Sequence, residues 1–410
     1  MDSLKELYKV GNGPSSSHTM GPQKAATEFL RRTPQAAHYR VTLLGSLAAT
    51  GKGHLTDWII KKTLGEERTT IVWKPEEVRP FHTNGMVFEA LDAQGNVPED
   101  PASTWEVYSV GGGTIAEPDS LTRGAGNFYS LTTLTAIMGH CRADNIELWE
   151  YVESQEGPGL WPFLQDIWQA MQDSIERGLG KTGLLPGDLR YPRKANAFYK
   201  KARIQSGRLR STGMTFAYAL AVSEENASGG LVVTAPTCGS AGLVPAVLRS
   251  LKEDYSLADT EILKALAVGG LVGNLVKENA SISGAEVGCQ GEVGTACAMA
   301  AAMTAYLFGG THMQIDYAAE MALEHHLGMT CDPVGGYVQV PCIERNAVSA
   351  IRAINAAEYT LFTDGNHRIS FDQVVQTMGE TGRDLKCGYR ETSLAGLAKH
   401  ACLTNCGSGC

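Results

Sequence analysis

Basic charge is scarce in this 410-residue sequence: 35 Lys and Arg stand against 44 Asp and Glu, a formal net charge of −9. A nucleic-acid backbone is held by concentrated cations. The basic clusters present, Arg31-Arg32 and Lys200-Lys201, are isolated pairs that read as solvated surface, so nucleic acid is not an expected partner. Long apolar runs are missing as well. The most apolar stretch, Thr295 to Gly310, is rich in Ala and Gly and falls short of the roughly 20 residues that span a bilayer; it is read as a buried core helix. The opening Met-Asp-Ser-Leu-Lys-Glu-Leu carries no apolar signal segment. No membrane partner and a cytoplasmic location are expected. There is no internal repeat and no low-complexity tract, and the length asks for two or three domains at roughly 100–200 residues each.

Cysteine is nearly absent from the first 237 residues, where only Cys141 occurs; the other nine of the ten lie between Cys238 and Cys410. A reducing compartment disfavours structural disulfides, so this asymmetry points to metal chemistry in the C-terminal half. Cys141 and Cys297 are the exceptions, read as small buried hydrophobes.

Strand signals, β-branched or aromatic runs bounded by turns, are confined to the N-terminal part: Val41–Gly45, Thr70–Trp73, Met86–Leu91 and Trp105–Val110, with helices over Gly21–Arg32 and Gly53–Leu64 and a hairpin turn at Gly95-Asn96. Beyond about residue 123 helical periodicity takes over, interrupted by a Gly-, Pro- and Arg-rich segment, 178–212, that reads as a long loop. The expected fold is α+β: a small N-terminal α/β domain over residues 1–122, a linker over 123–142, and a larger, mainly α-helical domain over 143–410.

Five segments could carry chemistry. In Gly13-Pro-Ser-Ser-Ser-His-Thr-Met-Gly21, the hydroxyls of Ser15, Ser16, Ser17 and Thr19, with His18, precede a helix, where backbone N–H groups suit a carboxylate or phosphate; a helix cap alone needs only one hydroxyl. In Gly51-Lys-Gly-His54 the spacing is not that of a P-loop, and His54 at a loop–helix junction is a candidate general base, with His82 a weaker one. Ala235-Pro-Thr-Cys-Gly-Ser-Ala-Gly242 runs from a Gly-rich loop into an apolar helix and reads equally as a ligand loop or a tight connection. Cys289 lies among small residues within Lys277–Gly294, and Cys331 and Cys342 flank a Gly-rich turn. Three thiolates among Gly, Pro and polar residues suit an iron–sulfur cluster. Zinc sites more often show Cys-x-x-Cys pairs, absent here, but spacing alone leaves the metal open. No lysine sits in a convincing phosphate-binding context, which argues against pyridoxal phosphate.

Together, in order and from the Ser-Ser-Ser-His-Thr segment to Arg390-Glu-Thr-Ser-Leu-Ala-Gly-Leu-Ala398, these blocks resemble the iron–sulfur L-serine dehydratases. Ser-Gly-Ala-Glu-Val-Gly-Cys-Gln-Gly-Glu-Val-Gly and Cys-Asp-Pro-Val-Gly-Gly-x-Val-Gln-Val-Pro-Cys-Ile-Glu-Arg-Asn are the most specific. The resemblance implies a [4Fe–4S] cluster on Cys289, Cys331 and Cys342, and a tail cysteine turned back towards it. Here that is Cys410 on its Gly-Ser-Gly tether, with Cys402 and Cys406 as alternatives. It implies L-serine as substrate, without excluding L-threonine or L-cysteine. It assigns the Cα proton to His54 with His82 assisting, the substrate carboxylate to Ser16, Ser17, His18 and Thr19, and the pocket wall to Thr237, Gly239, Ser240, Asn279 and Ser281. The short connection from His54 to His82 departs from members that carry an insertion there. A homodimer is the default assembly for a soluble enzyme.

Overall fold

A computed structural model of the chain describes residues 1–118, 128–393 and 395–400. The N-terminal elements are β1 (Val10–Asn12), α1 (Gly21–Arg32), β2 (His38–Leu44), α2 (Gly45–Thr50), α3 (Thr56–Leu64), β3 (Thr69–Lys74), β4 (Gly85–Leu91), β5 (Thr104–Gly111) and β6 (Thr114–Ala116). Among the described residues β2–β6 form one five-stranded sheet in the order β3-β2-β4-β5-β6. β2 and β3 are parallel and the other pairs antiparallel. The four expected strands coincide with β2–β5. Alternation decides which face is covered: Tyr39, Val41 and Leu43 of β2 are buried against Phe29 of α1 and Ile59, Ile60 and Leu64 of α3. Arg40 points to the other face, where its guanidinium makes two 2.6 Å bonds to the Glu89 carboxylate on β4.

The helical domain contains α4 (Leu134–Asp144), α5 (Leu148–Glu156), α6 (Leu160–Leu179), α7 (Ala195–Arg203), α8 (Gly207–Ala227), the short strand β7 (Leu231–Val233), α9 (Leu243–Tyr255), α10 (Asp259–Asn279), α11 (Gly284–Val287), α12 (Thr295–Leu307), α13 (His312–Glu324), α14 (Cys342–Leu361) and α15 (Phe371–Asp384). The Ala-rich α12 is the axle: Thr295 to Ala305 are all buried, and α9, α10, α13 and α14 pack around it. Its closest neighbour, α10, approaches through Gly269 and Gly273. A Cβ at Gly269 would lie 1.9 Å from Met303 Cε, and one at Gly273 2.7 Å from Met299 Sδ. Among the described residues no helix is long and apolar enough to cross a membrane.

Two segments differ from the sequence expectation. The 178–212 loop contains α7 and the start of α8; Ala195 and Ala202 are the buried residues of α7, and its basic side chains conceal the periodicity. The 123–142 linker includes most of α4, capped by Thr133, with Leu134, Ile137, Met138 and Cys141 buried at helical spacing; residues 119–127 lie outside the described set.

The first dozen residues sit in the helical domain. Met1, Leu4, Leu7 and Tyr8 are buried in its core, the Tyr8 hydroxyl donates to Leu266 O at 3.0 Å, and β1 pairs antiparallel with β7. The chain then crosses to the sheet domain, so the Gly13–Gly21 segment lies on the seam between the two.

Candidate active site

On the sheet-domain side, the Ser15 hydroxyl accepts from His18 N–H at 3.1 Å and caps a π-helical turn, Ser16–Met20, that runs into α1. This turn presents His18, whose Nδ1 lies 2.8 Å from Ser17 Oγ and Nε2 3.2 Å from Ser46 Oγ. His54 follows α2, and Leu55 after it takes a left-handed conformation (φ 57°) that turns the chain into α3. The two imidazoles face each other with centroids 4.6 Å apart. Their spacing is fixed crosswise by two buried threonines. Thr19 Oγ1 donates to His54 O at 2.7 Å and Thr56 Oγ1 to His18 O at 2.5 Å, so each histidine backbone is held from the other's segment.

The tautomer of His54 follows from its partner. Nδ1 lies 3.0 Å from Thr50 O, a carbonyl that can only accept, so Nδ1 carries the hydrogen and Nε2 the lone pair. Nε2 is buried without a hydrogen bond and faces Glu391 Oε1 at 3.6 Å. Burial lowers the His54 pKa to about 4 and holds His18 well below its ordinary value. Both are neutral at pH 7, the state in which an imidazole can accept a proton.

His54 and Ser15 share one cavity with Gly239, Cys289, Glu292, Cys331, Cys342 and Glu391. The three cysteines arrive from three separate segments. Cys289 follows Gly288, whose positive φ of 75° and near contact with Met329 O leave no room for a side chain. Cys331 is clamped by backbone bonds to Tyr389 O and from Glu391 N–H, both 2.8 Å. Cys342 opens α14. A hydrogen bond from the Cys331 thiol, then the Arg345 guanidinium, pull the Cys289 thiol down. The bond to Cys289, then burial, push Cys331 well up, and burial pushes Cys342 up. Arg345, three residues after Cys342, donates to Thr330 O at 2.6 Å and pairs with Asp332 at 3.5 Å, tying the Cys331 loop to α14.

Among the described residues no three His, Cys, Asp or Glu side chains converge tightly enough for a single metal ion. The three thiols line one cavity, a donor set that suits an iron–sulfur cluster. Glycines keep the space open: a Cβ on Gly284 would stand 3.2 Å from Cys331 Sγ, and one on Gly239 2.9 Å from Glu292 Oε1.

A family model described as serine dehydratase alpha chain matches residues 144–398, and one described as serine dehydratase beta chain matches 3–67 and 61–120. The chain belongs to the serine dehydratase family. It is 40% identical to an L-serine dehydratase of Haemophilus influenzae, over 97% of this chain and 99% of the relative. It is 39% identical to an L-serine dehydratase of Streptomyces coelicolor, over 97% and 98%, and 39% identical to L-serine dehydratase 1 of Escherichia coli, over 97% and 99%. The chain is accordingly an enzyme of the lyase class. The beta-chain match comes in two pieces that overlap over residues 61–67, from the last turns of α3 towards β3.

Within this serine dehydratase fold the sequence-predicted residues separate into three groups. His54, Gly239, Cys289, Cys331 and Cys342 line the cavity. Ser17, His18, Thr19, Thr237 and Ser240 stand behind it: Thr237 Oγ1 donates to Glu292 Oε1 at 2.7 Å, and Ser240 Oγ lies 3.2 Å from Ala235 O, bracing the loop from within. Ser16 is buried, and its carbonyl accepts the Gly21 N–H in the π-helical turn. The remaining three sit elsewhere. His82 is half-exposed, with Nδ1 accepting from Asn84 N–H at 3.0 Å. Asn279 donates to Thr132 O and Leu275 O, both at 2.8 Å. Ser281 bonds Glu286 on the wall of a separate outer groove. Cys402, Cys406 and Cys410 lie outside the described residues. Ser15, part of the hydroxyl-rich segment but given no role of its own, is the one of its serines that reaches the cavity; sequence reasoning missed Glu292, Arg345, Asn346 and Glu391. Glu292 and Arg345 each follow a cavity cysteine by three residues, a helical spacing that could have flagged them. Asn346 joins Gly239 O and Cys342 O through one amide, at 2.8 and 2.9 Å, a link visible only in three dimensions.

Proposed function

We propose that this chain eliminates water from L-serine, giving an aminoacrylate that tautomerises and hydrolyses to pyruvate and ammonia, with a [4Fe–4S] cluster held by Cys289, Cys331 and Cys342. One observation carries the reading: three cysteines from separate segments and the lone-pair nitrogen of a neutral histidine face the same buried cavity. When bound, the cluster supplies a Lewis-acidic iron that makes hydroxide a tolerable leaving group. The chain does the rest. His54 Nε2 accepts the Cα proton, while Thr50 and Thr19 hold its ring and backbone in place and Thr56 holds His18 beside it. Ser15 and the Thr237–Gly242 loop form the walls against which the substrate lies, and closure of the seam excludes water. Tail cysteines such as Cys410 supply a further thiol in this reading.

Anaerobic protein reconstituted with iron and sulfide, assayed with L-serine in a coupled pyruvate assay, tests the proposal. Pyruvate with a broad brown absorbance supports it; serine binding without pyruvate, or a sharp internal-aldimine band, removes it. L-threonine and L-cysteine in the same assay set the specificity, since one methyl is worth only about 1–3 kcal/mol. The expected homodimer finds support in the exposed apolar stripe of Val348, Tyr359 and Phe362 along α14, and light scattering measures it.

A further inference from the structure

We propose, resting on the elimination read above, that Glu391 receives the α-ammonium group of the substrate. A zwitterionic amino acid brings a cation into this buried cavity, where leaving it unpaired is costly. Two carboxylates line the cavity, Glu292 and Glu391. Glu292 is engaged: Oε1 accepts from Thr237 Oγ1 at 2.7 Å, and Oε2 faces the Cys331 thiol at 3.9 Å. The Glu391 carboxylate, its side chain 11% exposed, accepts no hydrogen bond among the described residues. The carboxyl is half-buried in the cavity, and burial, then Glu292 and Cys289, push it up to about 8; an ammonium group beside it offsets that cost and holds it as the carboxylate.

Position argues the same way. The proton that His54 removes and the ammonium nitrogen share one tetrahedral carbon, so the groups that receive them must be close neighbours. Glu391 Oε1 lies 3.6 Å from His54 Nε2. The backbone aims this side chain deliberately. Glu391 holds a left-handed φ of 57°, unfavourable for a residue with a Cβ, and is kept there by its N–H bond to Cys331 O and by the adjoining Cys331 N–H bond to Tyr389 O, both 2.8 Å. Strain of this kind persists where the surrounding structure enforces it, and it concentrates at ligand sites.

Glycerate, which carries a hydroxyl in place of the ammonium on the same carbon skeleton, is the discriminating probe. In cluster-loaded protein, Glu391→Gln should weaken L-serine, by KM and by calorimetric Kd, roughly 10- to 100-fold. Glycerate affinity should stay the same or tighten, and iron content and visible absorbance should match the parent. Glu391→Asp, which keeps the charge, should shift the serine-to-glycerate preference in the same direction but less, and serves alone if the Gln variant does not fold. A fall in kcat with serine Kd unchanged, equal weakening of both ligands, or loss of iron would each overturn the assignment. If the parent binds serine with this dependence on Glu391 yet releases no pyruvate, the ammonium site stands and the elimination reading falls.

Discussion

At the scale of single residues the site depends on two histidines whose roles are set by their partners. Replacing His54 with Ala should lower kcat by about 10²–10⁴-fold, the usual worth of a positioned base, while leaving the iron spectrum intact; full turnover in that variant would take His54 out of the mechanism. Thr56 makes a subtler prediction. Its hydroxyl holds His18 O from behind the ring pair, away from any substrate. Thr56→Val should therefore reduce kcat about tenfold, the loss from one buried hydrogen bond of about 1.4 kcal/mol, with little change in KM, and Thr56→Ser should restore it. The Ser-Ser-Ser-His-Thr segment was legible in sequence as something special, but its division of labour was not. Which hydroxyl faces the cavity depends on the π-helical turn, which places Ser15 on the wall and Thr19 against His54 O.

At the scale of elements, α13 carries an electrostatic cost. Asp316, Glu320 and Glu324 share one face at i, i+4 spacing, and Glu320 is buried. Burial, then Glu324, raise its carboxyl from 4.5 to about 8. The folded state thus keeps a proton that the unfolded chain releases near 4.5. Stability linked to Glu320 is complete below that pH and drains away as the pH rises towards 8. Glu320→Gln should melt with the parent at pH 4.5 and above it at pH 8, by about 2–4 °C for each kcal/mol recovered, read by calorimetry across the range. Strands and helices were legible where one period dominated, as in β2 and α12. They were illegible in α7, where Lys200, Lys201 and Arg203 crowd a short helix, and in α4, whose apolar stripe begins inside a segment that resembles a linker. The three cavity cysteines were legible because their loops are dense in Gly and Pro. Glu391 was not, because the bridge to Cys331 that brings it in spans sixty residues.

At the scale of the whole molecule, the cavity lies on a seam that both domains must close, and in the proposed reading three thiols must stay reduced to hold iron. Activity should fall in air and return on anaerobic treatment with iron and thiol; protein purified in air, free of iron and fully active would contradict the cluster. Side-chain hydrogen bonds also tie the two domains together. Asn226 Nδ2 donates to Pro14 O at 2.9 Å, next to Ser15, and Lys9 Nζ to Thr114 Oγ1 at 2.9 Å.

The strand that pairs with β7 also sets a timetable for synthesis. Tyr8 leaves the ribosome 258 residues before the carbonyl that its hydroxyl meets. At about 5–20 residues per second that is a delay on the order of 10–50 s. Throughout it Met1, Leu4, Leu7 and Tyr8 are apolar groups with no core to enter, while the neighbouring sheet already has all its strands. The sheet domain can form early, but the helical domain must wait for α10 and the helices packed on it before it takes back the first residues made. Nascent chains stalled before residue 231 should therefore present this N-terminal segment to chaperones, and those extended past α12 should not.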